Sequence, residues 1–194
     1  MTFQLTSPTA ASGVFSECEE HHDCKDTYCT GRRYRYLLKI PTSATNERKC
    51  VWVLANPSTA TPDKLDPTVR RCVQWSREWG FGWCWVVNVR AWRATHPKTI
   101  PPDPRAIGPQ NDGYIYNACV MSDLIVCGWG QLGGGRGLEV LDLIRSTKRV
   151  PHALKFAKNG APYHPLYLPG NSKPIAMPAS ASEIFEAMGG GLEL

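Results

Sequence analysis

The sequence predicts an α/β fold, a three-layer α/β/α domain with a mostly parallel central sheet, and three observations predict it. Three short runs are almost continuously apolar: residues 50–55 (CVWVLA), 84–89 (CWVVNV) and 123–127 (DLIVC). Runs of this kind suit strands buried on both faces of a parallel sheet. Segments with helical patterning fall between and after them, so strands and helices alternate as in βαβ units. Right-handed crossovers then place helices on both faces of the sheet. Finally, 194 residues with 42% hydrophobic and 20% charged side chains are enough for one domain with a real core.

In chain order, residues 1–31 are polar with little periodicity and read as an irregular leader. Residues 32–170 are expected to form the single domain. Its first strand is 34–40 (YRYLLKI), ended by Pro41 and a polar turn. The strand 50–55 leads into a loop over 56–65. A helix then starts with Asp66 as cap and Pro67 in the first turn, and Val69, Cys72, Val73, Ser76 and Trp79 share one face. Gly80 is its stop. After the strand 84–89, the loop 90–108 carries four prolines and cannot be helical. A second helix runs from Pro109 to about Met121, and the strand 123–127 follows. The glycine-rich stretch 128–137 reads as a flexible loop before a helix over 138–146. A short strand over 150–156 and a proline-rich loop over 161–170 complete the domain. Residues 171–194 are expected to be a flexible tail with one short helix over 181–188.

The charge is modest: formal net charge +5, with a sequence pI near 8.8. This balance permits nucleic-acid binding without demanding it. No signal-peptide core and no membrane-length apolar stretch is present, so a cytoplasmic protein with reduced thiols and no membrane partner is expected. Cys50, Cys72, Cys84, Cys119 and Cys127 lie in apolar runs and read as small buried hydrophobes.

In a parallel sheet the ligand sits beyond the carboxyl ends of the strands. Three loops qualify, those after Ala55, Asn88 and Cys127. The first opens with Asn56-Pro57-Ser58-Thr59-Ala60. Pro57 pushes Asn56 out of helical geometry, where its amide can hold a water or a ligand, and the same residues also suit a plain turn. Asn88 ends an apolar strand, and its amide offers a donor and an acceptor in one plane, which matches a base edge. His164-Pro165 lies in a loop stiffened by three prolines, where a fixed imidazole can donate to a leaving group as charge grows on it. Asp63 and Asp66 follow the first motif. Either suits a general base, and Asp66 also suits a helix cap.

Arginine clusters (Arg32, Arg33 and Arg35; Arg70 and Arg71; Arg90 and Arg93) suit a phosphate-binding face or a solvated one. Arg136, in the glycine-rich loop, is placed to touch a DNA phosphate. That loop matches neither the P-loop nor the dinucleotide pattern. No cofactor is expected and no metal either, although Cys18, His21, His22, Cys24 and Cys29 include zinc-type ligands at spacings that do not form a paired C-x-x-C site.

Taken in order, Asn56-Pro57, the run from Val86 to Ala91 with Asn88, the strand ending in Gly128-Trp129-Gly130, and His164-Pro165-Leu166-Tyr167-Leu168 resemble the uracil-DNA glycosylase superfamily. The set Asn-Pro-Ser-Thr-Ala, Asp-Pro-Thr-Val-Arg-Arg-Cys, Arg-Ala-Thr-His-Pro, Ile-Gly-Pro-Gln-Asn-Asp and His-Pro-Leu-Tyr-Leu more closely resembles the domain-of-unknown-function 1643 family of bacteria and phages, over about residues 32–170. The glycosylase resemblance implies hydrolysis of an N-glycosidic bond on a uracil-type or modified base extruded from DNA. Asn56 would position the water, with Asp63 or Asp66 assisting. Asn88 and Ser58 would hold the base, and His164 would support the leaving base. Two departures accompany it. The first motif has Asn rather than Asp, as in the mismatch-type branch. No aromatic residue lies between Ser58 and Gln74, so Trp92, Tyr163 or Tyr167 would have to stack on the base. On this reading the side chains of Asn56, Asn88 and His164 face one cleft. Two rivals stand beside it: a module that recognises a modified base or DNA without cutting it, and an enzyme of free nucleotide metabolism.

Overall fold

The computed structural model describes residues 15–17, 33–58 and 64–178. Its strands are β1 (Phe15–Glu17), β2 (Leu37–Pro41), β3 (Lys49–Leu54), β4 (Trp83–Asn88), β5 (Leu124–Cys127), β6 (Pro151–Ala153) and β7 (Ile175–Ala176). The helices are α1 (Pro67–Glu78), α2 (Asn111–Val120) and α3 (Gly134–Ser146). The strands form one sheet in the order β1-β2-β4-β3-β5-β6-β7.

The centre of the sheet is as expected. β4, β3, β5 and β6 are parallel neighbours, and β3 in the middle is buried along nearly its whole length. Helices cover both faces. On one side Val69, Cys72, Val73 and Trp75 of α1 pack on Cys50, Trp52, Cys84 and Val86. On the other, Ile115 and Cys119 of α2 and Val140, Leu141 and Ile144 of α3 pack on Val51, Val53, Trp85 and Val87.

A mostly parallel sheet is nevertheless a wrong expectation, because both margins are antiparallel: β1 with β2, β2 with β4, and β6 with β7. For β2 the reason lies in its connection. Only residues 42–48 join β2 to β3, too few for the crossover that parallel strands need. That link crosses the start of β4 so closely that a Cβ on Gly82 would lie 1.3 Å from the Asn46 carbonyl oxygen. The strands β1 and β7 also fall in stretches read as leader and tail.

The helix signals hold at α1. Asp66 Oδ1 accepts from the Val69 N–H at 2.9 Å, Pro67 opens the first turn, and Gly80 follows with φ 75°. The glycine-rich loop is a second correction, since α3 begins at Gly134, inside it. The glycines there make room for Trp129. A Cβ on Gly133 would lie 2.1 Å from Trp129 Cδ1, and one on Gly137 2.6 Å from its Nε1. The stretch is a cradle for a buried indole rather than a flexible loop. The five core cysteines are free and buried, and burial pushes the Cys84 and Cys119 thiols up to about 12. Among the described residues no helix is long and apolar enough to cross a membrane. The expected helix over 181–188 lies outside the described residues.

Candidate functional site

The parallel strands all end on one side, and hydrogen bonds carry their ladder one step further. The Val89 N–H donates to Leu54 O at 2.8 Å, Arg90 to Ala55 O at 3.1 Å, and Gly128 to Val53 O at 2.8 Å. The loops therefore leave from a fixed rim.

Asn88 closes β4 opposite Leu54 and is only 1% exposed. Neither its Nδ2 nor its Oδ1 has a hydrogen-bond partner among the described residues. A buried amide in that condition is rare, and each unmet group costs roughly 1–3 kcal/mol. The main chain at this point is firmly held. Asn111, fully buried at the start of α2, donates from Nδ2 to the carbonyls of Asn88 (2.9 Å) and Val89 (3.2 Å), while its own Oδ1 has no partner among the described residues. Reading the sequence missed Asn111. Its signal was a polar residue in the Gly-Pro-Gln-Asn-Asp helix start, where it passes for an ordinary first-turn residue.

Asn56 is half-buried. Its Nδ2 donates to Pro57 O at 3.0 Å and to Ala94 O at 2.9 Å, and the Ala94 N–H returns a bond to Pro57 O at 2.9 Å. Both amide donors thus serve the protein, and Oδ1 remains as an acceptor. Asn56 lines a cavity of 160 Å³ with Ala55, Arg90, Pro97, Ile100 and Leu132.

The His164-Pro165 step presses against the sheet end from another side. A Cβ on Gly128 would come 2.8 Å from Pro165 Cδ and 3.3 Å from Leu54 Cδ2, so only glycine permits the approach. His164 Nδ1 accepts from the Leu166 N–H at 3.4 Å, which puts the proton of a neutral ring on Nε2. Burial lowers the His164 pKa below its ordinary value, and the charge of Asp66 pulls it partly back. The imidazole is therefore neutral at pH 7. His164, Tyr163 and Tyr167 line a 250 Å³ cavity with Gly130 and Gln131. The Tyr167 ring lies 5.8 Å from the imidazole and is 77% exposed. Lys155 sits over the Tyr163 ring at 5.1 Å.

The structure thus brings His164, Tyr163 and Tyr167 together on one cavity, with the charge of Asp66 acting on the imidazole, and separately Asn56 with Arg90. It does not bring Asn56, Asn88 and His164 onto the wall of one cavity, as a shared cleft requires: Asn56 and His164 line different cavities, and Asn88 is enclosed. Ser58 follows Asn56 and is half-buried. Asp63 and the leader residues Cys18, His21, Cys24 and Cys29 lie outside the described residues. Among those described, no three His, Cys, Asp or Glu side chains stand close enough to hold a metal ion.

The remaining candidates divide sharply. Arg136 is 6% exposed and turned inward, donating to Val89 O at 3.0 Å and pairing with Asp112 and Glu139. Arg70 donates to Leu65 O at 3.0 Å. Arg71 donates to Leu168 O and lies over Trp75. Arg90 holds Asp103 through two bonds, 3.0 and 2.8 Å, and Leu132 O at 2.7 Å. Arg93 uses its main-chain N–H toward Arg33 O. Trp92 carries Arg33 and Arg105 against its ring, at 5.0 and 5.2 Å, and meets the edge of Tyr34.

A model of the family described as a protein of unknown function, DUF1643, matches residues 35–166. No curated protein and no solved structure matches the chain.

Proposed function

The chain belongs to the DUF1643 family, whose description assigns no chemistry, and from the geometry of its carboxyl-end site we propose that it binds a nucleobase through the buried amide of Asn88. The single observation that carries this reading is the unmet donor–acceptor pair of Asn88. An amide is a planar match for the Watson–Crick edge of a base, which supplies one acceptor and one donor side by side. The position supports it too, because Asn88 ends a central parallel strand where ligands of such sheets sit. Because Asn88 is only 1% exposed, base binding requires a local opening of the structure around it. Recognition without cleavage comes first. Among the described residues, Asp66 caps a helix and Asp103 is held by Arg90, so neither of these two is free to serve Asn56 as a base.

Hydrolysis of an N-glycosidic bond is the second reading, in the manner the uracil-DNA glycosylase resemblance implies. Two observations favour it. The hydrogen bonds of Asn56 leave Oδ1 as an acceptor that can orient a water, and the neutral His164 ring can donate from Nε2 to an anionic leaving base; the two line separate cavities, so this reading requires them to close on one substrate.

One experiment separates the two. Oligonucleotides and mononucleotides carrying uracil, hydroxymethyluracil or hypoxanthine are tested for binding by calorimetry, and the same oligonucleotides for alkali-labile sites. Recognition predicts binding lost in Asn88→Leu with no strand breaks on any substrate. Hydrolysis predicts breaks that vanish in Asn56→Ala and His164→Ala. Binding of no base at all overturns both.

A further inference from the structure

We propose that the cavity beside Trp129 is a binding site for a neutral, flat ring that carries a lactam edge, that is, a carbonyl next to a ring N–H. Its walls include none of Asn56, Asn88 and His164, so the inference goes beyond the base-binding reading and stands independently of it.

The cavity measures 280 Å³. Small-molecule pockets run from about 300 Å³ upward, so this one fits a single ring system and excludes a whole nucleotide. Trp129, Leu138, Leu141, Phe156 and Met177 make the walls apolar, and among the described residues no charged side chain lines them. A charged ligand would lose its hydration there without a counter-charge, so the ligand is neutral. Two of the walls are aromatic rings, which favour a flat partner. Leu138 lines the cavity and is still 66% exposed, and a ring seated there removes part of that apolar surface from water.

The walls are preformed. Gly133 and Gly137 close round the Trp129 indole. Main-chain bonds fix the other sides: the Gly130 N–H donates to Pro162 O at 2.9 Å, the Ala157 N–H to Ala161 O at 2.9 Å, and the Met177 N–H to Pro151 O at 2.8 Å. Little order then has to be gained on binding.

The polar part of the lining is a pair of side-chain amides turned toward each other. Gln131 Nε2 donates to Asn159 Oδ1 at 3.1 Å, and Asn159 Nδ2 donates back to Gln131 Oε1 at 2.8 Å. Both residues are exposed, so the pair can open to water. A lactam presents the same donor and acceptor side by side, and it can replace either amide with no hydrogen bond lost. Asn159 is the fixed half, because its Oδ1 also accepts from the Ala161 N–H at 3.3 Å, within the turn that closes from Ala157 to Ala161. Gln131 is the half that leaves. The lactam N–H then donates to Asn159 Oδ1, its carbonyl accepts from Asn159 Nδ2, and the Gln131 amide turns out to water.

The test is calorimetry on the full chain with carbostyril, a neutral bicyclic lactam, beside N-methylcarbostyril, whose donor is blocked, and quinoline, which lacks the lactam. We expect carbostyril to bind one site about tenfold or more tightly than either analogue. Asn159→Asp keeps the turn acceptor but puts an acceptor where the donor was, and should abolish that preference. Gln131→Ala should tighten carbostyril by about fivefold, because no amide has to be displaced. Leu138→Glu, at an exposed position, should weaken all three compounds, and Asn88→Leu should weaken none. Equal affinity for the three compounds, weaker carbostyril binding in Gln131→Ala, or no binding of any compound overturns the proposal. A nucleobase carries the same edge, so loss of carbostyril in Asn88→Leu would put the ring at Asn88; that result overturns this proposal and spares the base-binding reading.

Discussion

The α1 face of the sheet and the carboxyl ends of the same strands treat buried polar atoms in opposite ways. On the α1 face, Trp52 is fully enclosed, yet its Nε1 donates to Ser76 Oγ at 3.0 Å, and that hydroxyl donates on to Cys72 O at 2.8 Å. Trp75 Nε1 finds Gly170 O at 2.7 Å. Trp52, Trp75 and Trp79 stack with ring centroids 5.7–6.2 Å apart. A few residues along β4, Asn88 is equally buried and both of its side-chain atoms are unmet. The α1 face thus pairs its buried indoles. Trp85 Nε1 and His152 Nδ1 are also buried and unmet among the described residues, but Asn88 leaves both a donor and an acceptor unmet, and it does so where parallel sheets bind ligands.

The largest effects break or sustain this contrast directly. Ser76→Ala should lower stability by about 2 kcal/mol, because it leaves the Trp52 N–H buried without an acceptor. Asn88→Leu, of similar shape, should do the reverse and raise stability by about 1 kcal/mol, since an apolar side chain needs no partner, while base binding is lost. Urea unfolding of the two variants gives both numbers. A destabilised Asn88→Leu protein would mean that Asn88 is an ordinary structural residue, and the contrast would collapse.

The next effect concerns the glycine-rich stretch, and its sign is the informative part. Replacing a glycine inside a helix by alanine normally stabilises by up to about 1 kcal/mol. Gly137 lies inside α3, but an alanine there would drive its Cβ to 2.6 Å from Trp129 Nε1, a buried ring with nowhere to go. Overpacking of this kind costs about 1–3 kcal/mol, so Gly137→Ala should be a net loss of about 1 kcal/mol. A gain in thermal unfolding would show that the stretch yields as a flexible loop does.

How much of this was legible in the sequence follows from what each feature depends on. The core strands, the α1 cap at Asp66 and the buried cysteines are local patterns of apolar runs and capping residues, and they stand where those patterns put them. The antiparallel setting of β2 was not legible, because it depends on how a short connection runs in space across Gly82. The cradle of Trp129 was hidden for the same reason: glycine signals freedom in a sequence and close approach in a fold. At the site, Asn88 and His164 were visible as polar residues in unusual settings. Their burial was not visible, nor was the support of Asn111, nor the division of the arginines into the engaged and the exposed. Those properties belong to side-chain surroundings that no single stretch of sequence contains.

The smallest effect tests the one electrostatic link inside the site. His164 is held below its ordinary pKa of 6.5 mainly by burial, with Asp66 opposing. Its folded pKa thus lies beneath its unfolded one, so the unfolded chain takes up the proton first. The contribution of His164 to stability is then present above about pH 6.5 and is lost as the pH falls through the lower, folded value. His164→Gln should flatten that acid limb of the stability curve. Asp66→Asn keeps a good helix cap, because Asn and Asp cap about equally well, but it removes the charge that raises the imidazole. The His164 resonance should then titrate at lower pH than in the parent protein, and the acid limb should extend further down. If the NMR titration is unmoved by Asp66→Asn, the carboxylate does not reach the ring, and Asp66 is a helix cap with no part in the site.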